Sequence, residues 1–246
     1  MIVNKSIVGL HIILHEAHGM LAGKIANEIK EVYRPIHWFE TLIAISEHDD
    51  RQLDLNEKEY LSDLGVPMDF TEENYQVDEV VERMKRIMRT SENKSQWIKL
   101  LISYHLEFIY GPLKKKSKRI SAFFQQQASE RKTILKYFGL PNKKAKEYHE
   151  FLRFCDRLSL ILCKDETPEL ERLLEINTSI GEETFFIKKT DDERLIISPW
   201  IFKKDKFELS IEERVLKETQ FSSKENFKES LLKTKPQTKK WILAKE

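Results

Sequence analysis

The sequence predicts a mainly helical core followed by a C-terminal antiparallel β-meander, and three observations carry that expectation. Apolar residues recur at three- and four-residue spacing through most of the first 165 positions. Beyond Thr167-Pro168 short β-branched and aromatic runs, separated by turn residues, replace that period. A chain of 246 residues with 40% apolar side chains can bury a sizeable core. The expected organisation is a helical core over residues 1–165 and a β extension over residues 166–246, packed on the core as one domain.

Ile7 to Leu14 is β-branched and apolar enough for a short strand. Leu14, His18, Leu21, Ile25 and Val32 then recur at helical spacing and predict a first helix, stopped near Arg34-Pro35 because proline cannot continue the ladder. A second helix starts around that proline, carries Trp38, Leu42 and Ile45 on one face, and reaches His48-Asp49. Residues 50–76 read as an acidic, irregular connection, and loops of that length in compact domains are often functional. Further helices are expected from Val77 to Arg89, Ser95 to Tyr110, Lys118 to Tyr137 and Asn142 to Cys163. Strands are expected over Glu183 to Lys189, Arg194 to Ser198, Lys206 to Ile211 and Arg214 to Glu218. Ser222-Ser223-Lys224-Glu225 looks like a capping box opening a short helix through Leu232, and Trp241-Ile242-Leu243 reads as a returning edge strand.

Composition removes several function classes. No run of eighteen apolar residues occurs and the first five residues lack the apolar core of a signal peptide, so a cytoplasmic protein without a membrane span is expected. Cys155 and Cys163, inside one helical pattern, exclude a disulfide scaffold and thiolate zinc motifs; they read as buried small apolar residues. Neither the P-loop nor the dinucleotide-binding glycine pattern occurs. The net charge of +1 hides a segregation: residues 47–82 hold 13 acidic and 2 basic side chains, residues 83–146 hold 17 basic and 3 acidic. A basic half of this kind attracts small anions. The run Lys114-Lys115-Lys116-Ser117-Lys118-Arg119 lacks the interleaved aromatics of a nucleic-acid binder, so nucleic acid is not an expected partner, and a homo-oligomer is left open.

The most informative feature is a set of ionisable residues standing where the helical period asks for a hydrophobe. His18 continues the stripe Leu14, Leu21, Ile25; His48 and Asp49 continue Trp38, Leu42, Ile45; His105 falls between Leu101 and Phe108; Asp156 falls between Leu152 and Leu160. Two carboxylates and three imidazoles facing inward need a compensating charge, which a divalent cation supplies. Adjacent His48 and Asp49 diverge by about 100° on a helix and can grip one ion only at a helix end. Imidazole with carboxylate and no thiolate suits Mn, Fe, Co, Ni or Zn, as one or two ions.

A histidine, a His-Asp doublet and a distant aspartate on successive helices resemble the HD superfamily of metal-dependent phosphohydrolases. The whole chain is similar to the domain-of-unknown-function family 3891, through His18-Gly19-Met20-Leu21-Ala22-Gly23, Ala44-Ile45-Ser46-Glu47-His48-Asp49-Asp50, Ser103-Tyr104-His105, Asp156-Arg157-Leu158-Ser159-Leu160 and Pro199-Trp200-Ile201-Phe202. The resemblance implies an HD-type helical bundle core and a metal held by His18, His48, Asp49 and Asp156, with His105 near that site or on a second ion. Arg51-Gln52 stands where relatives usually read Gly-Trp, and an arginine there favours an anionic substrate.

Around the doublet, Asp50 and Glu47 are candidates to orient a water or act as general base. His15 is an alternative or supporting partner to His18, and His149, seven residues before Asp156, is a candidate for a second ion. His11 and His37 read as structural, and Trp200, Phe202 and Phe207 as core of the β region. The leading functional expectation is a metal-dependent hydrolase, a phosphohydrolase acting on a small phosphorylated molecule or nucleotide. The alternatives are an HD-type di-iron oxygenase and a non-catalytic metal- or nucleotide-binding module.

Overall fold

Both ends of the chain enter one sheet. In the computed structural model, which describes residues 1–51, 55, 57–72, 76–181 and 183–246, strands β1 (Ile2–Ser6), β2 (Gly9–Ile13), β3 (Leu174–Ile180), β4 (Glu183–Lys189), β5 (Leu195–Ser198), β6 (Lys206–Leu216) and β7 (Gln237–Ala244) line up in the order β1-β2-β6-β7-β5-β4-β3. The sheet is mixed, because β5 and β7 run parallel with Leu195 beside Leu243.

The sequence expectation of a mainly helical, HD-type bundle carrying a C-terminal antiparallel meander is therefore incorrect. A meander would join consecutive strands, whereas β7 inserts between β5 and β6 and the N-terminal hairpin extends the sheet beyond β6 through Leu10 and Leu216. Of the strand expected over Ile7 to Leu14, Gly9–Ile13 forms the second arm of that hairpin, with Ile7 and Val8 in its turn. Lys206 to Ile211 and Arg214 to Glu218 fall on one long strand, β6, which ends at Leu216. The Glu212-Glu213 doublet between them does not break it, since Glu213 turns inward and its Oε1 lies 3.0 Å from His11 Nδ1. Trp241-Ile242-Leu243 sits in β7, paired on both sides and not at an edge.

Among the described residues the α-helices are α1 (His15–Glu28), α2 (Trp38–Ser46), α3 (Val77–Lys94), α4 (Gln96–Tyr110), α5 (Lys118–Phe138), α6 (Asn142–Cys163) and α7 (Lys224–Lys233). The first helix stops earlier than its apolar spacing predicts. Ile29 is extended and bridges Phe202, and a single 3-10 turn, Glu31–Tyr33, covers the rest of the way to the proline. Serines open three of the others. Ser95 accepts from Trp97 N–H, Ser117 from Ile120 N–H and Ser223 from Asn226 N–H, each satisfying a donor the first turn leaves free. In α7 the cap is thus Ser223, one residue later than the capping-box pattern suggests. No helix among the described residues is long and apolar enough to cross a membrane.

Helix α1 is the pivot of the packing, lying against α2, α6 and β6. Its contact with α2 is made close by two glycines on one face: a Cβ on Gly19 would meet the Ser46 carbonyl oxygen, and one on Gly23 the Ser46 hydroxyl. Leu21, Ala22, Ile25 and Ala26 of α1 are wholly buried with Ala44, Ile45, Leu101, Leu152 and Leu158 of its neighbours. At about 25 cal/mol per Å² of apolar surface, this shared core fixes the helix ends that carry the ionisable residues.

Candidate metal centre

Four helices bring His18, His48, Asp49, His105 and Asp156 together. His18 projects from the second turn of α1, His48 and Asp49 follow the C-terminus of α2, His105 lies on α4 and Asp156 on α6. The three imidazoles are buried, while the Asp49 and Asp156 side chains keep 16% and 13% exposure, enough to leave the carboxylate side of the cluster open to a small ion. His18 Nε2 and His48 Nε2 each lie 3.1 Å from the same oxygen, Asp156 Oδ1. His18 Nε2 is 4.0 Å from Asp49 Oδ2, and His105 Nε2 is 4.0 Å from Asp156 Oδ2. Two overlapping triads have ligand-type atoms within 4.8 Å of one another: His18, His48 and Asp49, and His48, His105 and Asp156.

The far side of each ring decides what the near side offers. His48 Nδ1 donates to the Ile45 carbonyl at 2.7 Å. Ser159 Oγ is 2.7 Å from the Asp156 carbonyl, which can only accept, so the hydroxyl proton goes there and the hydroxyl oxygen receives the His18 Nδ1–H at 2.9 Å. With both Nδ1 protons committed, the neutral rings turn two Nε2 lone pairs toward one carboxylate oxygen. Only a cation or a proton between them makes that arrangement favourable.

Without an ion the protons go where the fields direct them. Burial opposes a charge on His48, but Asp156 and then Asp49 outweigh it and raise the imidazole to about 9. Burial would raise both carboxyls; the His48 charge and the hydrogen bonds from His18 and His48 hold Asp156 well below the usual range, and His15, Arg83 and His48 do the same for Asp49. His105 is lowered to about 3 by burial and the neighbouring His48, and neither of its ring nitrogens has a hydrogen-bond partner among the described residues.

The other sequence candidates are more scattered. Glu47 caps α2 and pairs with Lys94. Asp50 follows the doublet in the chain, its carboxyl raised to about 6 by burial and by Glu47 and Glu16. Arg51 is exposed with φ of 65°, and its carbonyl accepts from Arg86; the neighbouring Gln52 lies outside the described residues. His15 lies close enough to Asp49 to lower the pKa of that carboxyl, while its Nδ1 is 2.9 Å from the Met1 amino nitrogen and its ring is edge-on to Phe70. His149 is a ring-to-ring neighbour of His105, with centroids 5.8 Å apart. His37 packs on Trp97, and Phe202 and Phe207 are buried in the β region. In the basic run, Lys114 pairs with Glu107, and the two charge stretches meet in space where Arg119 pairs with Asp78, Arg83 with Asp49, Arg86 with Glu57 and Lys94 with Glu47.

Two residues of the centre escape the sequence reading. Arg83 Nη2 is 2.9 Å from Asp49 Oδ1, and its Nη1 donates to the Tyr110 hydroxyl at 2.5 Å. The signal for it was present, since Arg83 interrupts the buried stripe Val80, Met84, Ile87 as the histidines interrupt theirs. Ser159 gave no such signal, because a buried serine in a helix is ordinary.

The family model described as "Protein of unknown function (DUF3891)" matches residues 1–218. The chain belongs to this family. The match spans all five clustered residues together with Arg83 and Ser159, and it includes strands β1 to β6 and helices α1 to α6, leaving α7 and β7 beyond it. No curated protein and no solved structure matches the chain.

Proposed function

We propose that this DUF3891 protein is a metal-dependent hydrolase of small phosphorylated molecules, cytoplasmic, with the ligand order of HD-superfamily enzymes. The observation that carries the reading is the pair of Nε2 atoms, each 3.1 Å from Asp156 Oδ1, on rings whose Nδ1 protons are committed elsewhere. His18, His48, Asp49 and Asp156 would hold one divalent transition ion, and its two positive charges would offset the two carboxylates. When bound, such an ion supplies Lewis acidity and lowers the pKa of water toward neutrality.

The chain's own groups supply the rest. Ser159 and the Ile45 carbonyl fix the ring orientations, so little reorganisation is required on binding. Arg83 holds Asp49 ionised and directed at the cluster. Asp50, with its carboxyl near 6, is ionised at neutral pH yet basic enough to take a proton from an attacking water. The orphaned nitrogens of His105 support a second reading in which a further ion sits at His48, His105 and Asp156, as a two-ion hydrolase or a di-iron oxygenase would need.

Turnover of an aryl phosphate and of nucleotides, measured with Mn, Co or Mg under strict exclusion of oxygen, tests the proposal. Metal-dependent hydrolysis without oxygen is expected, and His105→Ala retains part of the rate if one ion suffices. A rate that requires iron and dissolved oxygen would establish the oxygenase instead, and metal-loaded protein inert under both conditions would leave a binding module.

A further inference from the structure

Helices α4, α5 and α6 line an open recess of about 700 Å³, within the usual range for small-molecule sites. None of the five clustered residues lines it, but His149 does. His149 is 6% exposed and its Nε2 has no hydrogen-bond partner among the described residues. Its ring and that of His105 stand between the cavity and Asp156.

The lining is cationic. Arg131, Lys132, Lys146 and Arg153 face two carboxylates, and both carboxylates are already engaged. Glu107 accepts from Arg131 and Lys114, and Glu150 accepts from Arg153 Nη1 at 2.7 and 2.9 Å. The same two guanidinium groups lie over aromatic rings, Arg153 at 3.9 Å from the Phe108 centroid and Arg131 at 4.8 Å from that of Tyr104. They are therefore held in place before any ligand arrives, so little side-chain entropy is lost on binding. Lys132 and Lys146 are exposed and have no carboxylate partner among the described residues. The recess thus concentrates an excess of two positive charges, two of its cations being free to turn to an anion.

We propose that this cavity is a binding site for a compact organic phosphate, distinct from the metal centre. Lys132 and Lys146 meet the phosphoryl oxygens, His149 Nε2 gains the hydrogen bond it lacks, and the half-exposed Phe108 ring takes the organic part. Phosphate fits better than a single carboxylate because two free ammonium groups match a dianion. The assignment goes beyond the hydrolase reading and does not rest on it, since no ion is needed for binding here.

Calorimetric titration of the full chain in EDTA, with phenyl phosphate and with inorganic phosphate as probes, tests the site apart from any metal chemistry. Saturable binding of phenyl phosphate is expected, tighter than that of inorganic phosphate. It should weaken about tenfold or more in the Lys132→Glu, Lys146→Glu double variant. Both lysines are exposed and unpaired, so the variant's unfolding temperature should match that of the parent, and Lys132→Arg with Lys146→Arg should keep the affinity. Absence of saturation with either probe at about 10 mM, or binding indifferent to the charge reversals, would overturn the assignment.

Discussion

A methyl group on Gly19 would stand 2.3 Å from the carbonyl oxygen of Ser46. The backbones of α1 and α2 thus touch one residue after His18 and two before His48, and this contact sets the separation of the two imidazoles. Gly19→Ala should destabilise the protein by about 1–3 kcal/mol, since the obstacle is backbone and cannot swing aside. It should also weaken metal binding by moving His18 away from His48. Urea unfolding and metal titration of the variant check both; unchanged values would show that the helices have room to spare.

Ser159 acts on the centre through His18 Nδ1, 2.9 Å away, without reaching the proposed ion itself. Ser159→Ala frees the ring to turn and to change tautomer, and metal affinity should fall by about 10- to 100-fold while helicity and unfolding temperature stay near the parent values. Ser159→Thr, which keeps the hydroxyl, should restore most of the affinity. Equal affinity in the alanine variant would remove Ser159 from the account.

Helix α6 was legible to the residue, because its buried face repeats at the helical period from Ala145 to Leu162 and proline precedes its first turn. The clustering was legible for the same reason: an ionisable group on a buried stripe violates the period, as His18, His105 and Asp156 do, while His48 lies just past the end of α2. Sheet order was not legible. Leu10 and Leu216 are partners far apart in the chain, and nothing local to either records the pairing. Strand β3 alternates Leu174, Ile176 and Ile180 with polar residues at an irregular, bulged edge, too faint a pattern to stand out. Glu213 misled by its type, since a buried strand position holding a carboxylate makes sense only once His11, on the neighbouring strand, reaches it.

Asp69 ties the N-terminal hairpin to the loop before α3. Its Oδ2 accepts from Val3 N–H at 3.0 Å, and its Oδ1 from the Thr71 amide at 3.0 Å and hydroxyl at 2.6 Å. Burial would raise this carboxyl, but the Thr71 bonds, then the Val3 amide and Lys164, hold it below the usual value. A carboxyl lowered on folding contributes stability that is present above its unfolded pKa, about 3.9, and is lost as pH falls through the folded one. Asp69→Asn should therefore cost about 1–3 kcal/mol at neutral pH and progressively less below about pH 4. Urea unfolding of parent and variant at pH 7, 5 and 3 reads the difference, and a pH-independent gap would contradict the linkage.

Cys155 and Cys163 are fully buried on α6; burial pushes the Cys163 thiol up to about 12, and burial with the Asp156 charge holds Cys155 well above the usual thiol value. Neither should react with a thiol reagent in the folded protein at pH 8, and both should react once urea unfolds it, because the thiolate is the reactive form. Labelling of the native protein within minutes would show that α6 opens locally, and with it the Asp156 turn.

The central claim, that His18, His48, Asp49 and Asp156 hold a metal, is tested most directly by elemental analysis of protein purified without added metal. The parent chain should carry on the order of one transition ion per molecule, and Asp49→Ala and His18→Ala should each lose it while keeping the parent's circular dichroism. Full metal occupancy in both variants, or a parent chain that neither carries nor takes up any transition ion, would contradict it.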